Sequence, residues 1–258
     1  TENIPVVITN ARLSQRSMSR YSKIPLSKEF FFNKLAHVSA QTPIDAERYK
    51  SIGVLKENIT ITGNIKYNMI VANDIHDRTK ELQNSIRNRN VWVAGSTHIG
   101  EEDIILEAHK KILKYKPDCL LILVPRHKER FNKVSRIISE HNLEFQRRSE
   151  SMDYISENTT VYLSDTMGEL MYMYAISDVS FVGGSIISKG GHNLLEPAAL
   201  GKPVISGKNL VNFKEIANTL TENKALEIAT SSLEIADKVL EILDNPKMLS
   251  ELSTNSLN

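Results

Sequence analysis

The sequence of 258 residues contains only one cysteine, Cys119. A disulfide framework is therefore excluded, and an intracellular compartment is favoured over a secreted one. Cys119 stands in an apolar run, Cys-Leu-Leu-Ile-Leu-Val, where a cysteine most simply serves as a small core residue. Long apolar runs are missing too, since none approaches the roughly 20 residues that a membrane-spanning helix needs.

The sequence also lacks an excess of charge of either sign. Its 32 Lys and Arg residues nearly balance 31 Asp and Glu residues, which leaves a net charge of +1 at pH 7. No global field marks the chain as a nucleic-acid binder, and its aromatic residues do not alternate with basic ones as single-strand binding requires. We therefore expect no nucleic-acid partner. The hydrophobic content of 41% is that of an ordinary protein with one large or two medium domains.

Common metal and nucleophile motifs are missing as well. The seven histidines form no His-x-x-x-His pair on a predicted helix and adjoin no cysteine, which argues against a zinc site. No Asp-x-Asp pair is present to hold a divalent ion. Residues 101–103, Glu-Glu-Asp, could mimic one, but acidic residues in a first helical turn already have a structural reason. There is no P-loop and no nucleophile elbow. We expect neither a metal nor a cofactor.

The most informative stretch is 178–207, where two glycine pairs separate an apolar strand from a short helix. Asn193 as N-cap and Glu196 three residues later resemble a capping box at the start of that helix. Glycines here let the backbone approach a ligand, and free N–H groups at a helix start favour an anion. The Glu196 carboxylate could hold ribose hydroxyls. These residues indicate a nucleotide site, and a tight strand–helix corner without a ligand is the alternative.

Strand and helix patterns alternate regularly from about residue 90 to residue 230. This order predicts an α/β fold with a doubly wound, Rossmann-like parallel sheet. Residues 1–66 alternate in the same way but are too short to close a domain of their own. Ligands of such sheets bind beyond the carboxyl ends of the strands. An unusual polar loop follows each predicted strand, at 96–98, 125–127, 166–169 and 190–196.

Several side chains in these loops suit a nucleotide, and each has a plainer explanation. Arg126 could neutralise a phosphate, or it could be a surface cation at a helix start, where the helix dipole disfavours it. Residues 167–170 could hold a base or ribose through backbone N–H groups, or could simply begin a helix. His127 and His192 could orient phosphate or sugar oxygens, or could be polar loop residues.

Five segments of the chain can be read together. They are Asn-Ala-Arg-Leu-Ser (10–14), Thr-Gly-Asn-Ile-Lys (62–66), Ala-Gly-Ser-Thr-His-Ile-Gly-Glu (94–101), Val-Pro-Arg-His (124–127) and Gly-Gly-His-Asn-Leu-Leu-Glu-Pro (190–197). In sequence and order they resemble the bacterial Kdo (3-deoxy-D-manno-octulosonic acid) transferases of lipopolysaccharide assembly. The resemblance covers essentially the whole chain. The last segment alone would indicate only a glycosyltransferase of the two-domain GT-B type.

The resemblance implies transfer of Kdo from CMP-Kdo to a lipid A precursor (lipid IVA), without a metal, at the cytoplasmic face of the inner membrane. It implies that residues 1–75 are the C-terminal remnant of an acceptor-binding domain with a linker, and that 76–258 bind CMP-Kdo. Lys66 would stabilise charge on the phosphate in the transition state. The residues that would hold CMP are Pro125, Arg126, Met167, Gly168, Glu169, Asn193, Leu194, Leu195 and Glu196. Possible further members of the site are Ser96, His98, His127, Gly191 and His192.

The chain departs from the family pattern at its start. Family members have a longer N-terminal domain with a membrane-anchoring segment, a general-base glutamate and much of the acceptor site, and none of these precedes Thr1. We therefore expect the chain to bind CMP or CMP-Kdo but not to transfer sugar.

Two other functions fit parts of the sequence. One is another GT-B enzyme with a UDP donor, either a glycosyltransferase or a sugar-nucleotide epimerase. The other is a non-catalytic nucleotide- or lipid-binding module whose cations Arg12, Arg16, Arg20 and Lys23 would meet anionic head groups. A solvated loop is the plainer explanation of those four cations.

Overall fold

The computed structural model describes residues 4–67, 69, 71–152 and 154–257. The chain divides into two compact units, Thr1–Met69 and Ile70–Asn258. Each has its own parallel sheet. Among the described residues, no helix combines the length and apolar character that crossing a membrane requires.

The first unit is built on a parallel sheet in the order β1-β2-β3. Its strands are β1 (Val7–Ala11), β2 (His37–Ala40) and β3 (Ile59–Ile61), and its helices are α1 (Gln15–Tyr21), α2 (Ser27–Phe30) and α3 (Pro43–Ser51). A small core forms around Leu13, Val38 and Tyr49. The cations Arg16 and Arg20 lie on the exposed helix α1 rather than in the solvated loop that the sequence suggested.

The second unit contains a seven-stranded sheet in the order β10-β9-β8-β4-β5-β7-β6, and every pair of neighbours is parallel. Its strands are β4 (Val91–Thr97), β5 (Leu120–Pro125), β6 (Phe145–Arg147), β7 (Val161–Leu163), β8 (Val179–Val182), β9 (Val204–Ser206) and β10 (Leu226–Ile228). Its helices are α4 (Ile75–Ile86), α5 (Glu101–Leu113), α6 (Phe131–Glu140), α7 (Leu170–Ala175), α8 (Leu195–Ala198), α9 (Lys214–Glu222), α10 (Ser232–Asp244) and α11 (Pro246–Leu257). The predicted doubly wound α/β fold is confirmed.

The central strands are apolar because helices cover both faces of the sheet. Every residue of β4, β5 and β8 is buried, which is typical of parallel strands with no solvent face. Ile105, Ala108 and Ile112 of α5 are fully buried, and this helix packs beside α10. Cys119 belongs to the same core, where burial raises the pKa of its thiol to about 12.

The order of the strands reverses between β4 and β8. From β4 the chain winds outward through β5 to the edge strand β6 and comes back to β7, which lies between them. It then crosses to β8 on the other side of β4 and continues to β9 and β10. In a parallel sheet this reversal opens a crevice at the carboxyl ends of the two central strands, because the helices that follow them lie on opposite faces. We therefore expect a ligand to bind near the carboxyl ends of β4 and β8.

Candidate nucleotide-binding site

The carboxyl end of β4 and the residues at or after the ends of β5, β7 and β8 form one pocket of about 270 Å³. Its lining residues are Ser96, Val124, Pro125, Arg126, Thr166, Met167, Gly168, Glu169, Leu170, Met171 and Glu196. The structure therefore brings together most of the residues that sequence reasoning assigned to CMP, along with Ser96. Their role in binding stays a prediction.

Arg126 lines the pocket from the loop after β5. Its backbone N–H donates to the Thr97 carbonyl at 3.0 Å, which joins the loop after β5 to the end of β4. Its side chain is exposed. The sequence placed Arg126 at a helix start, but a 3₁₀ turn at Lys128–Arg130 comes between it and α6. Arg126 is therefore not at the start of α6, and the unfavourable helix dipole expected from the sequence does not apply.

Glu169 lines the pocket but its carboxylate is already bound. Arg148 donates to both carboxylate oxygens, at 2.7 Å and 2.9 Å, and Thr166 also hydrogen-bonds to Glu169. The hydrogen bonds from Arg148 lower the pKa of Glu169, although burial opposes the shift. At neutral pH the two side chains form a charged pair, so Glu169 can meet a ligand chiefly through its backbone. Sequence reasoning missed Arg148, which directly follows the short strand β6.

Gly168 shows why the turn before α7 needs a glycine. Its φ is +82°, in the left-handed region, and a Cβ atom there would meet nothing within 4 Å. Backbone conformation rather than crowding therefore requires glycine. The turn faces open space beside the exposed Met167, so its backbone is accessible to a base or a ribose.

The predicted capping box at Asn193 needs correction. Helix α8 begins at Leu195 and spans only four residues, so the cap position belongs to Leu194. The Asn193 side-chain Oδ1 accepts from the Leu195 N–H at 3.2 Å, and the Asn193 side-chain Nδ2 donates to Glu196 Oε1 at 3.4 Å. In a capping box the Glu196 side chain would accept from the Asn193 backbone N–H. Here it contacts the Asn193 side chain instead. A capping box requires a helix longer than the four residues of α8.

Glu196 reaches the pocket, whereas Asn193, Leu194 and Leu195 do not line it. The side chains of Leu194 and Leu195 are buried in the core, where they hold the helix in place. Burial raises the pKa of Glu196, while the Asn193 hydrogen bond and the charge of Arg126 oppose the shift. Arg126 and Glu196 line the same pocket, so both side chains can meet one ligand.

Glu101 positions the glycine-rich loop from behind. Its buried carboxylate accepts from the N–H groups of His98 (3.1 Å), Gly184 (2.7 Å), Ser185 (3.0 Å) and Ile186 (3.0 Å). One side chain therefore ties the loop after β4 to the loop after β8. Sequence reasoning explained Glu101 only by its place in a first helical turn. Its position within the segment 94–101 was the signal that could have found it.

His98, His127 and His192 lie together next to the pocket. The Nε2 atoms of His98 and His192 are 2.7 Å apart, and His127 packs edge-on against His98. Burial lowers the pKa of His192 to about 4, and nearby His98 adds to the effect. Among the described residues, no group of His, Cys, Asp or Glu side chains could hold a metal ion.

Two further predicted residues do not line the pocket. Gly191 is buried with φ +77°, and a Cβ atom there would lie 2.6 Å from Leu210 Cδ2, so close packing accounts for this glycine. Lys66 belongs to the first unit, in a 3₁₀ turn at Ile65–Tyr67. The Lys66 side chain lies outside the described part of the structure, and its role stays a prediction.

A buried hydroxyl of α7 lies against strand β4. Tyr174 is fully buried on α7, and its OH has no hydrogen-bond partner in the described structure. A Cβ atom at Gly95 would lie 2.1 Å from this oxygen, so the glycine lets the tyrosine pack against β4. Burial raises the pKa of Tyr174 well above its ordinary value, with Glu196 contributing.

Comparison with known proteins places this fold and site in a family. Residues 1–69 match the family described as 3-deoxy-D-manno-octulosonic-acid transferase (kdotransferase), and residues 101–258 match glycosyl transferases group 1. The 3-deoxy-D-manno-octulosonic acid transferase of Haemophilus influenzae is 44% identical over 95% of this chain and 57% of its own length. A bifunctional glycosyltransferase/methyltransferase of Fusobacterium nucleatum is 36% identical over 95% of this chain and 38% of its own length. The chain thus spans little more than half the length of the first relative, and less of the second.

A solved structure is similar to the larger unit. The C-terminal CMP-Kdo binding domain of WaaA from Acinetobacter baumannii is 38% identical, with a TM-score of 0.67. The match covers 70% of this chain and 95% of that domain. On these matches, the chain belongs to the 3-deoxy-D-manno-octulosonic acid (Kdo) transferase family of glycosyltransferases.

Proposed function

We propose that this chain binds CMP-Kdo in the pocket at the carboxyl ends of β4, β5, β7 and β8, and that the protein transfers Kdo from it. One observation carries the proposal: the carboxyl end of β4 and loops from three distant parts of the chain form a single pocket at one edge of the sheet. The relative of known structure that covers this region is described as a CMP-Kdo binding domain. Residues 76–258 are then the donor-binding domain.

The lining side chains suit the parts of a nucleotide. Arg126 presents the forked donors that match phosphate oxygens. Glu196, beside it, has the acceptor oxygens that a ribose needs. The open turn at 167–169 offers backbone N–H groups to the base, since its one carboxylate is bound by Arg148. Asn193 orients Glu196 through its amide, and Leu194 and Leu195 support the helix that carries it.

The transfer step is proposed from family membership. Lys66 would stabilise charge on the departing phosphate, and a lipid A precursor at the cytoplasmic face of the inner membrane would be the acceptor. Residues 1–75 would belong to the domain that binds this acceptor. A monophosphate leaving group carries less charge than a diphosphate, so cationic side chains could stabilise it without a metal.

Calorimetric titration with CMP tests the donor site. We expect Arg126→Ala to weaken CMP binding about tenfold or more, the effect of losing a hydrogen bond to a charged group. Glu196→Gln should weaken it less, because the amide keeps one acceptor oxygen. Arg136→Ala is the matched control, since Arg136 is exposed on α6 and does not line the pocket.

Competition between CMP and UDP separates the proposal from its rival. A Kdo transferase should prefer CMP, and a UDP-dependent GT-B enzyme should prefer UDP. Failure to bind CMP at millimolar concentration, or a preference for UDP, would contradict the proposal. Equal loss of CMP affinity in the Arg136→Ala control would contradict the assignment of the pocket.

A further inference from the structure

A second polar pocket lies in the first unit, at the carboxyl ends of its three strands. Its volume is about 630 Å³, within the roughly 300–1,000 Å³ typical of sites for small molecules. Ligands of parallel sheets bind at this end of the strands. We call it the small-sheet pocket. Five of its eight lining residues have a neutral hydroxyl or amide side chain: Thr9, Asn10, Ser39, Thr62 and Asn64.

A β-bulge brings two neighbouring residues of β1 to the small-sheet pocket. The register of β1 shifts, so that Thr9 and Asn10 together oppose a single residue of β2, Ser39. Successive side chains of a regular strand point to opposite faces, but here Thr9 and Asn10 line the same pocket. Asn10 has φ +51°, in the left-handed region that residues with a side chain rarely adopt. The distorted backbone thus places consecutive polar residues around one volume.

The nucleotide pocket of the larger unit is built in the same way. There the register of β4 shifts at Ser96, which has φ +56° and lines that pocket. Each sheet therefore has a left-handed residue in a bulge near the carboxyl end of a strand, and each of these residues lines a pocket. Backbone of this kind costs free energy and is concentrated at functional sites. Its repetition in the first unit indicates that the small-sheet pocket is a binding site as well.

The polar groups of the small-sheet pocket are held in place and remain available to a ligand. Asn10 Oδ1 accepts from the Ile65 N–H at 3.2 Å, and the Asn10 backbone carbonyl accepts from Gln41 Nε2 at 3.0 Å. These bonds fix the asparagine and leave its Nδ2 group to donate elsewhere. Among the described residues, the hydroxyls of Thr9 and Ser39 form no hydrogen bond with the protein. A ligand can therefore meet them without breaking an internal bond.

The chemistry of the lining favours a neutral sugar. Hydroxyl and amide side chains both donate and accept hydrogen bonds, as the hydroxyl groups of a sugar ring require. The exposed ring of Tyr67 offers an apolar surface to the C–H groups of such a ring. No lining residue that the structure describes is charged, so none compensates the charge of a phosphate or a carboxylate. The side chain of Lys66, in the same turn as Tyr67, lies outside the described residues, and an anionic sugar therefore belongs in the test.

We propose that the small-sheet pocket binds a neutral sugar ring, in a site built wholly from residues of the first unit. Which sugar it takes rests on the function proposed above, which offers two sources: the sugar of the acceptor and the Kdo ring of the donor. Both present the ring hydroxyls that the lining suits. The pocket itself is argued from the first unit alone, and its binding of a free sugar needs no nucleotide.

NMR titration of the whole chain with N-acetylglucosamine, a neutral sugar ring, tests the proposal. We expect millimolar binding that shifts the backbone amides of the lining residues. Thr9→Val and Ser39→Ala each remove one hydroxyl without breaking a described hydrogen bond. Each should weaken the binding about two- to tenfold, the effect of losing one neutral hydrogen bond. Ser19→Ala is the matched control and should change nothing, because Ser19 is exposed on α1 and does not line the pocket.

Further ligands test the charge of the sugar and distinguish its source. N-acetylglucosamine 6-phosphate should bind no more tightly than the neutral sugar, and clearly tighter binding would overturn the assignment of a neutral ring. If the pocket holds the acceptor's sugar, Ser39→Ala should weaken N-acetylglucosamine and leave both CMP and CMP-Kdo unchanged. If it holds the donor's sugar, Ser39→Ala should weaken CMP-Kdo as well but not CMP.

The design separates this inference from the proposed function. If Thr9→Val and Ser39→Ala weaken neither N-acetylglucosamine nor CMP-Kdo, or if Ser19→Ala weakens them equally, the sugar site is wrong. A chain that binds CMP but shows no effect of the pocket variants contradicts this inference alone. A chain that binds N-acetylglucosamine through Thr9 and Ser39 but does not bind CMP contradicts the proposed function alone.

Discussion

Replacing Glu101 by glutamine tests how the site is built. The change keeps the shape of the side chain but replaces one carboxylate oxygen by an NH₂ group. Each oxygen of Glu101 now accepts two backbone N–H groups: Oε2 those of His98 and Gly184, and Oε1 those of Ser185 and Ile186. Whichever way the amide turns, its NH₂ faces two buried donors and can accept from neither.

The structure gives the size of the expected loss. Two hydrogen bonds to a charged acceptor disappear, each contributing about 1.5–3 kcal/mol, and two buried N–H groups lose their partner. Because the loop can relax, we expect the free energy of unfolding to fall by about 3–5 kcal/mol, the range for breaking a buried charged interaction. At roughly 2–4 °C per kcal/mol for a domain of this size, the melting temperature should fall by about 6–20 °C.

Differential scanning calorimetry of both proteins measures this effect, and CMP titration follows the consequence for the site. Glu107→Gln is the matched control on the same helix, because the Glu107 side chain is half exposed and its ion-pair partners are the side chains of Lys110 and the largely buried His141 rather than buried backbone N–H groups. We expect its melting temperature to change by less than about 2 °C, since surface pairs contribute little. A Glu101→Gln protein that melts within about 2 °C of the parent would refute the reasoning, because the loop would then not depend on this carboxylate.

Three more predictions concern the same region. Gly184→Ala should lower the free energy of unfolding by about 1–3 kcal/mol in urea titrations, and by more than Gly100→Ala, because both have positive φ but only Gly184 lacks room. Tyr174→Phe should leave thermal stability unchanged or raise it by about 1 kcal/mol, since it removes a buried hydroxyl without a described partner; a clear loss would reveal a partner for that group. Glu169 has a lowered pKa, so its pairing with Arg148 stabilises the fold above its usual pKa near 4.5 and is lost as pH falls below it. The parent should therefore lose more stability between pH 6 and pH 3 than Glu169→Gln does, and parallel pH profiles of melting temperature would contradict this.

The central strands could be predicted because each is marked by a continuous apolar run in its own sequence. β4, β5 and β8 are continuous apolar runs, and parallel strands covered on both faces leave such runs in the sequence. The edge strands β6 and β10 are three residues long and include polar residues, and sequence reasoning did not find them. A short strand that pairs on one side only is fixed by its neighbour rather than by its own pattern.

The pocket could be predicted for a different reason. Arg126 and Glu196 lie far apart in the chain, but both follow a strand, and the carboxyl ends of parallel strands meet at one edge. The partners behind the pocket could not be found in this way. Glu101 bonds to Gly184 across 83 positions of sequence, and Arg148 reaches Glu169 from the end of the unpredicted strand β6. No local sequence pattern indicates that residues so far apart in the chain form a hydrogen bond.

The hydrogen bonds of Glu101 and Arg148 explain how loops can form a site of defined geometry. A loop alone would lose conformational entropy each time it closed on a ligand, which weakens binding. Here Glu101 fixes the glycine-rich loop, Arg148 fixes the turn that carries Glu169, and the Arg126 N–H joins its own loop to β4. Glu101 and Arg148, which hold these loops, thus do not line the pocket, whereas Arg126 lines it with an exposed side chain. It follows that Glu101→Gln should weaken CMP by loosening the loop even though Glu101 does not line the pocket, whereas Arg126→Ala should weaken CMP without lowering the melting temperature. The two changes therefore separate the support of the site from its contact with the ligand.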